Sequence, residues 1–137
     1  MSGKTRVFAL FLAPALPVIA NDLTLAIDNI MDSGGVIYWS VYDSAEHYDA
    51  GDAPLASGRN RAAGDALRIT LHDLPRGSYA ARIFHDTNGN GELDRNMLGI
   101  PTEPYGFSND AGGRGPASFD DAAIAVDGET NMTIRMR

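Results

Sequence analysis

Alternation of apolar and polar residues is the feature that most limits how this chain can fold. The stretches 22–28, 67–71 and 132–136 alternate in this way, and a period of two is typical of a strand with one buried face. Residues 36–42 are dense in β-branched and aromatic residues, and residues 79–85 follow a Pro-x-Gly turn as a return strand. Beyond the N-terminal apolar segment, no sustained stripe has helical spacing. We therefore predict an all-β fold.

Turn residues separate these stretches. Clusters at 32–35, 74–78 and 127–128 contain the glycine, proline, aspartate and serine residues that favour tight reversals. Two weaker strands are expected near residues 59–62 and 122–126. Short strands joined by such turns predict a single antiparallel β-sandwich of immunoglobulin or transthyretin type, with one long functional loop.

The first 20 residues have the pattern of a secretory signal peptide. Lys4 and Arg6 precede an apolar stretch that ends in the small-residue pattern Val18-Ile19-Ala20. The stretch is shorter than the ~20 residues that a spanning helix needs, and prolines interrupt it. We expect cleavage after Ala20, a periplasmic or secreted product without a membrane span, and a β-sandwich domain over residues 21–137.

The charge balance limits the possible partners. The chain has 18 acidic and 11 basic residues, a formal net charge of −7, and no cysteine. Such a field favours cations and disfavours nucleic acid, and the arginines form no basic cluster along the sequence. Without cysteine there is no disulfide, thiol nucleophile or zinc–thiolate site. Stability must come from the core, or from the core and a metal.

An acidic loop follows the strand at 79–85. Oxygen-bearing side chains recur at alternate positions, and Gly91 stands where a calcium loop needs a sharp turn. Hard cations require such an arrangement, because alternate side chains point inward around one centre. Five residues match positions 1, 3, 5, 7 and 9 of the twelve-residue calcium loop: Asp86, Asn88, Asn90, Glu92 and Asp94.

The match to a calcium loop fails at position 12, where Met97 replaces the bidentate glutamate. The flanking strands also exclude an EF-hand. A missing carboxylate would have to come from Glu103, Asp110 or Asp120, and binding would be weak, with a dissociation constant of ~10⁻⁴–10⁻³ M. Two other interpretations stay open: a metal-free loop in which Asn and Asp make turns, and a site for another cation.

The segment 99–116 has no regular periodicity and carries two aromatic residues, Tyr105 and Phe107. Loops of this length in compact domains are usually functional or disordered. The segment either packs over a sheet edge or displays its aromatic rings to a protein or carbohydrate partner. Gly106 between the two rings would let the backbone approach another surface closely. In the second strand, Tyr38 and Tyr42 share the face opposite Trp39, where they serve packing or a ligand platform.

A hydrolytic site is the third possibility. It would pair His85 with one of three serines, Ser78, Ser108 or Ser118. No Gly-x-Ser-x-Gly elbow supports this pairing, and the position of His85 in its strand favours a hydrogen-bonded residue at the edge of the core. We therefore assign no catalytic residue.

Three long motifs carry a family resemblance that extends over nearly all of the chain after residue 20. They are His85-Asp86-x-Asn88-Gly89-Asn90-Gly91-x-Leu93-Asp94, Gly99-Ile100-Pro101-x-Glu103-x-Tyr105-Gly106-Phe107-Ser108-Asn109 and Gly115-Pro116-x-Ser118-Phe119-x-Asp121-Ala122. With them the chain resembles an uncharacterised bacterial secreted family, domain of unknown function 2141. The resemblance implies export from a Gram-negative type of cell and a β-sandwich domain. It implies no activity.

These observations favour a small exported binding module, without enzymatic activity, whose loop is ordered by calcium and displays residues 99–116. The main alternative is a metal-free structural or interaction domain whose long loop covers a sheet edge. A hydrolase ranks third.

Overall fold

The computed structural model describes residue 3 and residues 7–15, 20–113 and 115–137. These residues form eight strands and two short helices. The strands are β1 (Leu23–Asp28), β2 (Val36–Tyr42), β3 (Ala56–Arg61), β4 (Ala66–Leu71), β5 (Gly77–Asp86), β6 (Tyr105–Phe107), β7 (Ile124–Val126) and β8 (Thr130–Arg135). The helices are α1 (Ala45–Ala50) and α2 (Phe119–Ala122). The predicted all-β class is confirmed.

The strands form two sheets. The smaller sheet has the order β4-β1-β8, and the larger has the order β3-β2-β5-β6, with β7 paired to the first residues of β5. The prediction of a purely antiparallel arrangement is wrong for one pair, because β1 and β8 run parallel, with Leu23 opposite Thr130. A parallel pair needs a long crossover connection, and here residues 29–129 lie between the two strands.

Both sheets contribute to one apolar core. The alternation in β1, β2, β5 and β8 turns one face of each strand inward, as its period of two requires. The fully buried residues Leu25, Ile37, Val41, Met132 and Ile134 belong to this cluster. Trp39 lies among them and donates its indole N–H to Asn60 at 2.9 Å.

The helix α1 was not predicted, since the stretch after Ser44 carries no apolar stripe. Instead, its two ends define it. Ser44 caps the N-terminus by accepting from the amide of His47, and Gly51 ends the helix in the left-handed conformation at φ 68°. Tyr48 is completely buried and anchors the helix to the outer face of the larger sheet. A six-residue helix is too short to show a period.

A second difference concerns the strand expected at 122–126. The structure has α2 up to Ala122 and strand β7 only from Ile124. Ser118 caps α2 by accepting from the amide of Asp121, a local hydrogen bond that competes with extended structure.

The N-terminal segment forms neither helix nor strand over residues 7–15, and Phe8 and Phe11 are exposed. Four residues on which the predicted signal pattern depends, Lys4, Arg6, Val18 and Ile19, lie outside the described residues. No helix in the described ranges is long and apolar enough to cross a membrane.

Candidate functional site

The acidic loop begins at Asp86, the last residue of β5. This side chain is 1% exposed, and its two carboxylate oxygens accept from the amides of Gly89 at 3.0 Å and Gly91 at 2.8 Å. Both glycines have positive φ, 77° and 78°, a conformation that costs other residues free energy. Asp86 therefore organises the loop from its first position.

The other predicted ligands continue the same network. The side-chain amides of Asn88 and Asn90 both donate to the carboxylate of Asp94, the second at 2.7 Å. Their amide oxygens accept from backbone N–H groups two residues further on, at 3.2 Å from Asn90 and 3.0 Å from Glu92. These are Asx turns, which hold the backbone without regular structure. The side chain of Glu92 is exposed.

Glu103 joins the two ends of the loop, although it lies nine residues beyond Asp94. It is 7% exposed, and Oε1 accepts from the amide and hydroxyl of Thr87 at 3.0 and 3.3 Å. Oε2 accepts from the amide of Asp94 at 3.0 Å. Of the three additional ligands that the sequence suggested, only Glu103 reaches the loop through a hydrogen bond. Asp110 pairs with Arg137 at 2.8 Å, and Asp120 is exposed on α2.

Four predicted oxygen donors and Glu103 thus share one hydrogen-bonded loop. Within the described ranges, no three His, Cys, Asp or Glu side chains group closely enough to hold a metal by themselves. Calcium also accepts oxygens from Asn side chains and backbone carbonyls. A complete ion shell here would therefore mix carboxylate, amide and carbonyl oxygens.

A cleft of about 670 Å³ lies beside this loop, on the outer face of the larger sheet. Strand pairing builds its floor from two rows of side chains. Tyr38 stands opposite Phe84, and Phe84 opposite Tyr105. The second row consists of Ser40, Arg82 and Phe107. One wall is formed by the end of the acidic loop and the segment after it, including Leu93, Arg95 and Pro101.

The aromatic residues of the cleft contact one another. The rings of Tyr38 and Phe84 are stacked, with centroids 5.0 Å apart and planes 6° apart. Tyr105 and Phe107 meet edge to face at 5.8 Å, and each is half-buried. They therefore neither form a fully buried cover nor stand free as a rim. Gly106 faces the other sheet, where an added Cβ would lie 2.8 Å from the carbonyl oxygen of Arg135, so the predicted close approach is confirmed.

Arg82 is held in the cleft floor by aromatic rings. Its guanidinium carbon lies 3.9 Å from the centroid of Tyr48 and 5.7 Å from that of Tyr42, within the range of cation–π attraction. Burial raises the pKa of the Tyr48 hydroxyl, which donates to the carbonyl of Ala117 at 3.1 Å. Among the described residues, the buried Nε of Arg82 has no hydrogen-bond partner.

The serine and histidine candidates are engaged elsewhere. The ring of His85 is fully buried and donates from Nε2 to the carbonyl of Gly34 at 2.6 Å, as the strand pattern predicted. The hydroxyl of Ser108 accepts from the amide of Ala81 at 2.9 Å and donates to the carbonyl of Ala122 at 2.6 Å. Ser118 caps α2, and Ser78 lies on β5 opposite Ala125. None of the hydrogen bonds in the described ranges joins these serines to His85.

Sequence reasoning missed Arg82, Phe84 and Arg95 as cleft residues. The parity of β5 contained the signal for two of them, since Arg82 and Phe84 alternate with Ala81, Ile83 and His85 on the core face. No local pattern marks Arg95, which reaches the cleft through its loop.

A family model described as "Uncharacterized protein conserved in bacteria (DUF2141)" matches residues 25–135. The match extends from β1 to the end of β8 and includes both the acidic loop and the cleft. No curated protein and no solved structure matches the chain.

Proposed function

The chain belongs to the bacterial family DUF2141, and from that premise we propose that it is an exported β-sandwich binding module whose acidic loop is ordered by calcium. In this proposal it binds a protein or carbohydrate partner in the aromatic cleft and performs no catalysis. Two sheets around one core support the sandwich architecture. The signal pattern of residues 1–20 supports export.

One observation carries the proposal: the acidic loop and the cleft share a wall. Glu103 ties Thr87 to Asp94, and the chain between Asp94 and Glu103 supplies Arg95, Gly99 and Pro101 to the cleft. The loop also lies close to the floor, because a Cβ added at Gly91 would be 3.9 Å from the hydroxyl of Tyr38. An ion that stiffens the loop would thereby stiffen the binding surface.

The electrostatics of the loop support a cation. Asp86 and Glu103 are buried, Asp94 is half-buried, and Glu92 is exposed in the same loop. Carboxylates close together repel one another, and a divalent cation offsets that repulsion. A bound cation would also hold in place a long irregular segment that conformational entropy would otherwise loosen. With few carboxylates, the expected dissociation constant is ~10⁻⁴–10⁻³ M.

Thermal unfolding with calcium or with chelator tests the calcium proposal. An ion that binds only the folded state stabilises it by mass action, about 1.4 kcal/mol at ~10⁻² M calcium for a dissociation constant of ~10⁻³ M. Calcium should raise the unfolding midpoint of wild type and of Glu129→Gln, which removes an exposed carboxylate on the β7–β8 turn. Asp94→Asn keeps the shape of the side chain but should abolish the shift. An unchanged wild-type midpoint would contradict the proposal.

A metal-free structural or interaction domain is the second candidate function, and a specific observation favours it. The side chains of Asp86, Asn88, Asn90 and Asp94 all form hydrogen bonds within the loop, so its turns are satisfied by the protein alone. The segment then leads to β6, which covers an edge of the larger sheet by pairing with β5. In that case Asp86→Ala would destabilise the protein equally with calcium and with chelator.

A further inference from the structure

The charge and shape of the cleft allow its ligand to be named by chemical class. We propose that the cleft binds an acidic carbohydrate, a sugar that carries a carboxylate, with the sugar ring on the aromatic row and the carboxylate on the arginines. This inference rests on the proposed binding function and specifies the chemical class of the ligand.

Charge complementarity is the first argument. The chain has a formal net charge of −7. Among the described lining residues of the cleft, however, the only side chains charged at neutral pH are those of Arg82 and Arg95. A guanidinium presents a planar fork of donors that matches a carboxylate. The cleft therefore favours an anionic group, whereas the surrounding acidic surface disfavours anions without a specific partner.

The position of Arg82 is the second argument. Stacking on Tyr48 at 3.9 Å restricts the side chain before any ligand arrives, so little rotamer entropy remains to be lost on binding. Arg95 is held at the wall by donating to the carbonyl of Gly99 at 3.0 Å. The two arginines thus come from the floor and from the wall of the same cleft.

The aromatic row supplies the third argument. A sugar ring has an apolar face of C–H groups and a rim of hydroxyls, so it needs a flat aromatic surface bordered by polar groups. Tyr38, Phe84 and Tyr105 lie opposite one another on three neighbouring strands and line the cleft. The hydroxyl of Ser40 and those of the tyrosines provide donors and acceptors beside it. The volume of about 670 Å³ is within the ~300–1,000 Å³ typical of small-ligand sites.

An acidic peptide would share the charge preference but not the geometry. An extended peptide gains affinity by adding backbone hydrogen bonds at a free sheet edge. This cleft instead lies over the face of β2, β5 and β6, and side chains line its floor. A ligand recognised by stacking fits that face better than one recognised through its backbone.

Calorimetric titration with defined oligosaccharides tests this inference. The probes are a trisaccharide of galacturonic acid and the neutral galactose trisaccharide. Each is titrated once with calcium, which keeps the loop ordered, and once with chelator, which excludes calcium bound to the sugar. We expect the acidic probe to bind at least about tenfold more tightly, since charge-assisted hydrogen bonds are roughly twice as strong as neutral ones. Equal affinities of the two probes in both conditions, or no binding of the acidic probe at ~10 mM in either, would overturn the proposal.

Matched variants locate the site. Arg95→Gln should weaken binding of the acidic probe by about tenfold or more and leave the neutral probe unaffected. Arg82→Gln should weaken binding of the acidic probe in the same way, provided that circular dichroism shows the variant to be folded. If the variant is unfolded, the test rests on Arg95→Gln alone. Arg76→Gln, which removes an exposed arginine paired with Asp127, is the control and should bind as wild type. Unchanged binding in Arg95→Gln, or tighter binding of an aspartate-rich peptide than of the sugar, would refute the assignment.

The failure of this inference can be distinguished from that of the calcium proposal. If the acidic sugar binds but calcium leaves the unfolding midpoint unchanged, the loop is metal-free and the ligand class stands. If calcium raises the midpoint but the acidic sugar does not bind, the ligand class is wrong and the calcium-ordered loop stands.

Discussion

The acidic loop and the aromatic cleft are neighbours, but they are built in opposite ways. In the loop, each side-chain hydrogen bond among residues 86–94 joins residues at most six positions apart, and the more distant partners are Thr102 and Glu103. The cleft joins Tyr38, Phe84 and Tyr105 across three strands. Local polar chemistry can be read from a motif, whereas a surface made by strand pairing cannot.

The largest expected loss of stability comes from a substitution that disrupts the acidic loop alone. Asp86→Ala removes a buried carboxylate that accepts two backbone N–H groups, and hydrogen bonds to a charged group contribute about 1.5–3 kcal/mol each. Because water can reach both exposed glycines, we expect the free energy of unfolding to fall by about 2–3 kcal/mol. Urea unfolding in chelator measures it, with Glu129→Gln as the control. A loss below about 1 kcal/mol would show that Asp86 does not organise the loop.

A smaller effect is expected in the cleft. Full burial of Phe107 would make Phe107→Ala cost about 3–5 kcal/mol, and full exposure would make it nearly neutral. The ring is half-buried against Tyr105 and the cluster around Tyr48, so we expect about 1–2 kcal/mol. Urea unfolding is again the measurement, and Met97→Ala, at a completely exposed side chain, should change stability by less than about 0.5 kcal/mol. A loss of 3 kcal/mol or more would make the segment a packed cover.

The smallest effect concerns α1, which supports Arg82 through Tyr48. The hydrogen bond to Asp52 raises the pKa of His47 above its ordinary value of 6.5. The extra stability is therefore fully present below pH 6.5 and disappears as pH rises through the raised value. Titration followed by nuclear magnetic resonance should give a pKa above 6.5 in wild type and a lower one in Asp52→Asn. Equal values would mean that the pair does not form in solution.

Most strands could be predicted because their signal is local. The strands β1, β2, β4, β5 and β8 lie where alternation or β-branched and aromatic residues indicated them. The helix α1 was not predicted, because six residues between two caps are too few to show a period. The parallel pairing of β1 with β8 was not predicted either, since alternation identifies the buried face of a strand but not the strand that pairs with it.

The acidic set of the candidate site was likewise visible in the sequence. The spacing alone predicted that one turn contains Asp86, Asn88, Asn90 and Asp94, because Asx side chains and glycines determine the path of the backbone over a few residues. Glu103 was named as one of three possible additions, but only the fold showed that it ties the loop together.

By itself, the sequence determined the all-β class, the buried face of each main strand and the local form of the acidic loop. These depend on interactions between residues close in the chain. The tertiary structure decided which strands are neighbours, which side chains share the cleft and where Arg82 and Arg95 lie. Pairing between strands far apart in sequence depends on the packing of the whole core, and no short stretch of residues encodes that.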